Sequence, residues 1–235
     1  MIEDFPASAE PTHRIVGREL LALAGSALLY PFGFIRSRRR TPRQEQQRTV
    51  VLVHGYLGNG SSLLPLTAWL RTHGVKNVLS FDYPGAPGIE QAALGLKQFL
   101  RERVRGGRVD LVCHSLGGLV ARVYLQQLGG ARRVDRCITL ATPHRGTYNA
   151  YWVASRVGRE LRPDSALLRR LESTRAAAAQ VRFTSIVAGS DNIVLPRVSA
   201  VNEEVLHLDG VGHLGLLFSL PVFRAVTGRL LEAGA

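Results

Sequence analysis

A chain of 235 residues is long enough to bury one substantial core, and it shows neither an internal repeat nor a low-complexity tract. Two cysteines exclude a disulfide framework; Cys113 and Cys137 fall in apolar segments, where reduced core thiols are expected. The formal net charge of +12 comes almost wholly from arginine, Lys76 and Lys97 being the sole lysines, and it draws the chain toward anionic surfaces. No nucleic-acid-binding module and no interleaving of aromatic with basic residues accompanies that charge, so no nucleic-acid partner is expected.

The opening MIEDFPASAEP is acidic and lacks the basic start of a secretory signal. Residues 20–35, LLALAGSALLYPFGFI, carry no charge, and arginines follow at 36, 38, 39, 40 and 43. This stretch is broken by Pro31 and falls short of the about 20 residues that span a bilayer. Two readings stay open. The segment is a hydrophobic helix lying in or dipping into a membrane, with arginines at the headgroups, or it is a helix packed over the domain that follows. On the first reading, residues 19–40 hold a cytoplasmic protein against, or anchor it in, the inner membrane. Residues 1–48 then form an extension to a single domain at 49–235.

Six short apolar runs read as strands: 49–54, 77–82, 108–114, 136–141, 182–188 and 203–208. Helical periodicity separates most of them, in LTAWLRTH, IEQAALGLKQFLRERV and LGGLVARVYLQQL, with glycines at the helix ends. Such alternation predicts an α/β fold, a parallel sheet covered on both faces.

Chemistry-bearing residues stand at the ends of these runs. In VVLVHGYLGNG the strand ends at His54, which is expected with Gly55 to organise the loop, and that loop offers the backbone N–H of Tyr56. In LVCHSLGGLVARVYL a strand runs into Ser115 and then into a helix. This is the pattern of a nucleophile elbow, whose strained turn needs small residues on either side of the serine. Gly117 meets that need, and Cys113 stands where glycine is usual. Leu116, at the helix start, offers a second N–H for an oxyanion. His114 is expected to pack. His144, in ATPHRGT, is expected at the rim with His54 and Tyr148 as substrate contacts.

The stretch 144–180 holds Tyr148, Tyr151 and Trp152 and then a helical run, SALLRRLESTRAAAAQ. It is longer than one crossover needs, which favours a short cap over Ser115. The strand FTSIVAG leads to Asp191, and EEVLHLDGVGHLGLLFS leads to His213 in a glycine-rich loop. A serine needs a base and the base an orienting acid, in the chain order Ser, Asp, His. Asp82, Asp110 and Asp209 are the weaker acids: a turn residue, a residue at the wrong end of its strand, and a strand end. His13, His73 and His207 are expected at the surface or in support.

The elbow, the HG loop, ATPHRGT, Asp191 and GVGHLGLL together resemble the α/β-hydrolase lipases and esterases. The resemblance is nearest to the small lidless bacterial lipases of the Bacillus type, which carry alanine at the position of Cys113. It runs from about Thr49 to Val226 and leaves out residues 1–48 and 144–180. It implies an α/β-hydrolase fold with a minimal six-stranded, mostly parallel sheet and helices on both faces. It also implies Ser115 as nucleophile, Asp191 as acid, His213 as base, and the Tyr56 and Leu116 amides as oxyanion hole.

The function expected is a serine carboxylic-ester hydrolase acting on small or lipid-like esters, needing no metal or organic cofactor, with a membrane surface as a possible partner. Thioesterase, amidase or acyltransferase chemistry would use the same residues. A non-catalytic, membrane-associated binding protein is the alternative of a different class.

Overall fold

A computed structural model describes residues 11–31, 48–84, 87–104, 106–199 and 204–232. The opening segment and the arginines between 36 and 43 lie outside the described residues. The strands are β1 (Thr49–Val53), β2 (Val78–Phe81), β3 (Val109–His114), β4 (Val134–Leu140), β5 (Arg182–Ala188) and β6 (Glu204–Leu208). They form one six-stranded sheet in the order β2-β1-β3-β4-β5-β6, and every pairing is parallel. Around it lie α1 (Thr12–Leu29), α2 (Leu64–Thr72), α3 (Ile89–Arg103), α4 (Leu116–Gln127), α5 (Arg156–Glu160), α6 (Ala166–Ser173), α7 (Pro196–Ser199) and α8 (Leu220–Leu231).

β1 and β3 are buried at every position because both faces of the sheet are covered. Their side chains alternate between two cores. Val51, Val53, Leu111 and Cys113 join Leu96, Leu100 and Leu119 of α3 and α4 on one face. Val50, Leu52 and Val112 join Leu66, Leu70, Val222 and Val226 of α2 and α8 on the other. Both cysteines are free and buried, and burial holds the Cys113 thiol well above its ordinary range.

The stretch 144–180 divides. Leu167, Leu168 and Leu171 of α6 belong to the core that contains α3 and α4, so α6 is a crossover helix on the sheet face rather than a cap. Ser165 starts it by accepting from the Leu168 N–H. Buried Arg122 of α4 ties the stretch down, donating to the carbonyls of His144 and Leu171 at 3.2 and 3.1 Å. In the turn Tyr148–Trp152 the aromatic side chains are exposed, Trp152 by 89%.

α1 begins at Thr12, well before the uncharged run, and includes Arg14, Arg18 and Glu19. It packs on the domain. Glu19 accepts from the N–H groups of Leu214 and Gly215 at 3.0 and 2.7 Å, and Gly25 lies against the Phe218 ring. The Tyr30 carbonyl, just past the helix, accepts from Asn59. Among the described residues no helix is long and apolar enough to cross a membrane. Leu20, Leu21, Leu23 and Leu28 nevertheless remain exposed on the helix.

Packing is close where β3 turns into α4. A Cβ added at Gly117 would fall 2.6 Å from the Val53 carbonyl oxygen and 2.7 Å from that of His54. Neither backbone oxygen can yield without moving β1. Gly117→Val is therefore expected to destabilise the protein by about 3 kcal/mol or more, read as a lower urea midpoint with an unchanged denaturant slope.

Candidate active site

The strand order reverses at β1 and β3: the chain leaves β1 for one edge of the sheet and leaves β3 for the other. Parallel sheets open a crevice at the carboxyl ends of such strands. Val53 pairs with Cys113, so the loop after β1 and the turn after β3 emerge side by side. A Cβ at Gly55 would lie 3.0 Å from that of Ser115, which shows how close the two backbones come.

Ser115 has φ 52° and ψ −122°, a conformation that side chains rarely adopt. Its N–H donates to the Leu140 carbonyl at 2.8 Å, and its carbonyl accepts from the Thr142 hydroxyl at 2.9 Å. Gly118 leaves the room for Thr142, since a Cβ there would fall 2.1 Å from that hydroxyl oxygen. Held in this way, the Ser115 hydroxyl projects above the sheet at the N-terminus of α4.

The three side chains expected to act together do meet. His213 Nε2 lies 3.0 Å from Ser115 Oγ, and His213 Nδ1 lies 2.7 Å from Asp191 Oδ2. Asp191 is fixed by its second oxygen, Oδ1, which accepts from the N–H groups of Ile193 and Val194, each at 2.8 Å. All three residues are buried. The competing acids are engaged elsewhere. Asp82 accepts from the Gly60 N–H in the loop after β1. Asp110 is buried at the opposite end of β3, 3.5 Å from both Arg48 and Arg136.

Two residues expected as substrate contacts, one of them at the rim, lie in the interior. His54 is buried and stacked on Tyr83, with Nδ1 against the Gly55 carbonyl and Nε2 accepting from the Tyr83 N–H. His144 is also buried, with Nε2 3.1 Å from the Thr139 hydroxyl. Each ring organises protein rather than lining open space. Tyr148 is exposed, and its turn is tied to the Asp191 loop: Asn149 donates to the Asn192 and Ile193 carbonyls, and Thr147 to that of Ile193. Tyr148, Trp152, Ile193 and Leu195 thus give that loop and its neighbour an exposed apolar surface. Among the described residues no three His, Cys, Asp or Glu side chains cluster as a metal site.

Sequence reasoning missed the part played by His114. Its Nε2–H donates to the His213 carbonyl at 3.1 Å, and the two rings pack at 4.9 Å between centroids. Its position beside the serine is the signal that could have suggested it.

Burial pushes His114 down to about 3, and the nearby His213 adds to the effect. Burial likewise lowers His54 and, further, His144. In the unfolded chain these rings take up protons near their ordinary value of 6.5, while in the folded protein they stay neutral. The unfolded state therefore binds more protons as pH falls below that value, and stability declines. For His114 the decline extends down to about pH 3, at up to roughly 1.4 kcal/mol per pH unit. Urea midpoints should fall steadily between pH 7 and pH 4.5, and His144→Gln should flatten the slope. A midpoint independent of pH over that range would contradict this.

Solved structures with this architecture include α/β-hydrolase lipases and esterases. A Bacillus licheniformis lipase, BlEst2, in its propeptide form has a TM-score of 0.69 at 17% identity. The match covers 83% of this chain and 52% of that one, so the chain spans about half that protein's length. The mature form of the same lipase gives 0.65 at 18% identity, covering 82% and 95%. The product of the Listeria innocua gene lin2722 gives 0.62 at 13% identity, covering 81% and 96%. These likenesses establish the α/β-hydrolase fold. By a family model that matches residues 34–154, just over half of its length, the chain belongs to the family described as domain of unknown function DUF7379.

Proposed function

We propose that this protein is a serine carboxylic-ester hydrolase acting on lipid-like esters. The observation that carries the reading is the unbroken relay from Ser115 Oγ through His213 to Asp191, at 3.0 and 2.7 Å. Both contacts are of hydrogen-bond length, and the one between Ser115 and His213 is the one across which a proton passes. In this reading Ser115 Oγ attacks the ester carbonyl carbon and gives its proton to His213 Nε2. Asp191 holds the ring and stabilises the imidazolium. The developing oxyanion is met by the N–H groups of Tyr56 and Leu116. Leu116 is the first residue of α4, where helical N–H groups lack partners within the helix and the dipole favours an anion. His213 then returns the proton to the leaving alkoxide. Water attacks the acyl-enzyme, losing its proton to His213, and the acid leaves as the serine recovers its proton.

The apolar surface at Tyr148, Trp152, Ile193 and Leu195 supports an acyl chain as the bulky part of the substrate. The exposed leucines of α1 are a second apolar surface and favour work at a lipid surface, approached peripherally. A panel of oxyesters, thioesters and amides separates ester hydrolysis from the related chemistries. Ser115→Ala and His213→Ala are each expected to lower kcat on the best ester by at least about 10⁴-fold, and Asp191→Asn by a similar factor, with circular dichroism unchanged. Full ester hydrolysis by Ser115→Ala would overturn the assignment. A wild-type protein inert across the panel would point to a binding role.

A further inference from the structure

We propose that Glu19, in the N-terminal helix, is a positioning residue that sets the orientation of His213. The inference rests on the role just given to that histidine.

An imidazole can only be as well placed as the backbone that carries it. His213 sits in a loop with Gly210, Gly212 and Gly215, a composition that leaves many backbone conformations open. The peptide joining His213 to Leu214 is gripped from two sides. Its carbonyl accepts from His114 Nε2 at 3.1 Å, and its N–H donates to Glu19 Oε2 at 3.0 Å. The other carboxylate oxygen of Glu19, Oε1, accepts from the next N–H, that of Gly215, at 2.7 Å. The neighbouring Arg18 donates to the Gly210 carbonyl at 3.2 Å, at the start of the same loop.

The glycines make this grip possible. A Cβ at Gly212 would fall 2.4 Å from the Glu19 carboxyl carbon, and one at Gly215 would fall 2.8 Å from Oε1. The loop is therefore shaped around the carboxylate. A charged acceptor bonded to two consecutive N–H groups fixes the plane of the backbone, and with it the direction in which the His213 side chain leaves. His114 comes from the elbow and Glu19 from α1, so the grip ties the base to the nucleophile's own strand on one side and to the extension on the other.

The test compares wild type with Glu19→Ala and Glu19→Gln in the full chain. The glutamine variant keeps size and shape but sets an NH2 group against one of the two N–H donors. Both variants are expected to lose roughly 10- to 100-fold in kcat, the scale of a small misplacement of a reacting group, with KM within about twofold of wild type. The proton NMR signal of the His213 ring N–H bonded to Asp191 should broaden or shift in both. A lowered melting temperature with kcat and the ring N–H signal both unchanged would overturn the proposal, leaving Glu19 only a docking contact for α1. Should Glu19→Ala fail to fold, Glu19→Gln alone decides. Should the wild type hydrolyse nothing, the hydrolase reading fails by itself, and the ring N–H signal still reports whether Glu19 holds the imidazole.

Discussion

The backbone at Ser115, at φ 52° and ψ −122°, is the constraint on which the rest of the site depends. Such a conformation costs about 1–3 kcal/mol and persists only when its surroundings enforce it. Here the enforcement is specific. The Leu140 carbonyl and the Thr142 hydroxyl hold the Ser115 peptide groups. Gly117 lets α4 approach the backbone of β1, and Gly118 makes room for Thr142. Two strands, one helix and one loop converge on a single residue. Relaxing the turn would withdraw the hydroxyl from the imidazole 3.0 Å away.

Topology supplies the remaining parts without further adjustment. All strands are parallel, so every strand-to-helix loop opens at the same edge of the sheet. The reversal of order at β1 and β3 places the Gly55–Tyr56 loop beside the elbow, while β5 and β6 deliver Asp191 and His213 from farther along the same edge. The side chains beneath this edge are chosen for burial rather than for chemistry. His54 stacks on Tyr83, His144 meets Thr139, and Arg122 reaches past α4 to bind two carbonyls. The same buried rings that brace the site make the fold sensitive to acid.

Much of this was legible in the sequence, and the failures have physical causes. The strand bounds agree within a residue or two because both faces of the central strands are covered, which turns β1, β3 and most of β4 into apolar runs. Ser115, Asp191 and His213 were legible because each sits just past a strand with small residues beside it. His54 reads as a loop organiser, but it and His144 also read as substrate contacts, because a histidine at a strand end looks the same whether its ring faces solvent or core. The run SALLRRLESTRAAAAQ is amphipathic, a pattern that serves a cap and a crossover helix equally, and only the burial of Leu167, Leu168 and Leu171 separates the two. The contact of Glu19 with Leu214 spans 195 positions, and no local pattern announces it. Of the two readings of the N-terminal segment, packing on the domain is the one for which α1 supplies contacts.

The central claim is that Ser115 is made nucleophilic by its neighbours, and covalent capture tests it most directly. Wild-type protein treated with a fluorophosphonate, digested and mapped by mass spectrometry should carry one adduct, on the peptide containing Ser115, and His213→Ala should carry none. Labelling spread over other serines, or no labelling of the native protein, would contradict the account.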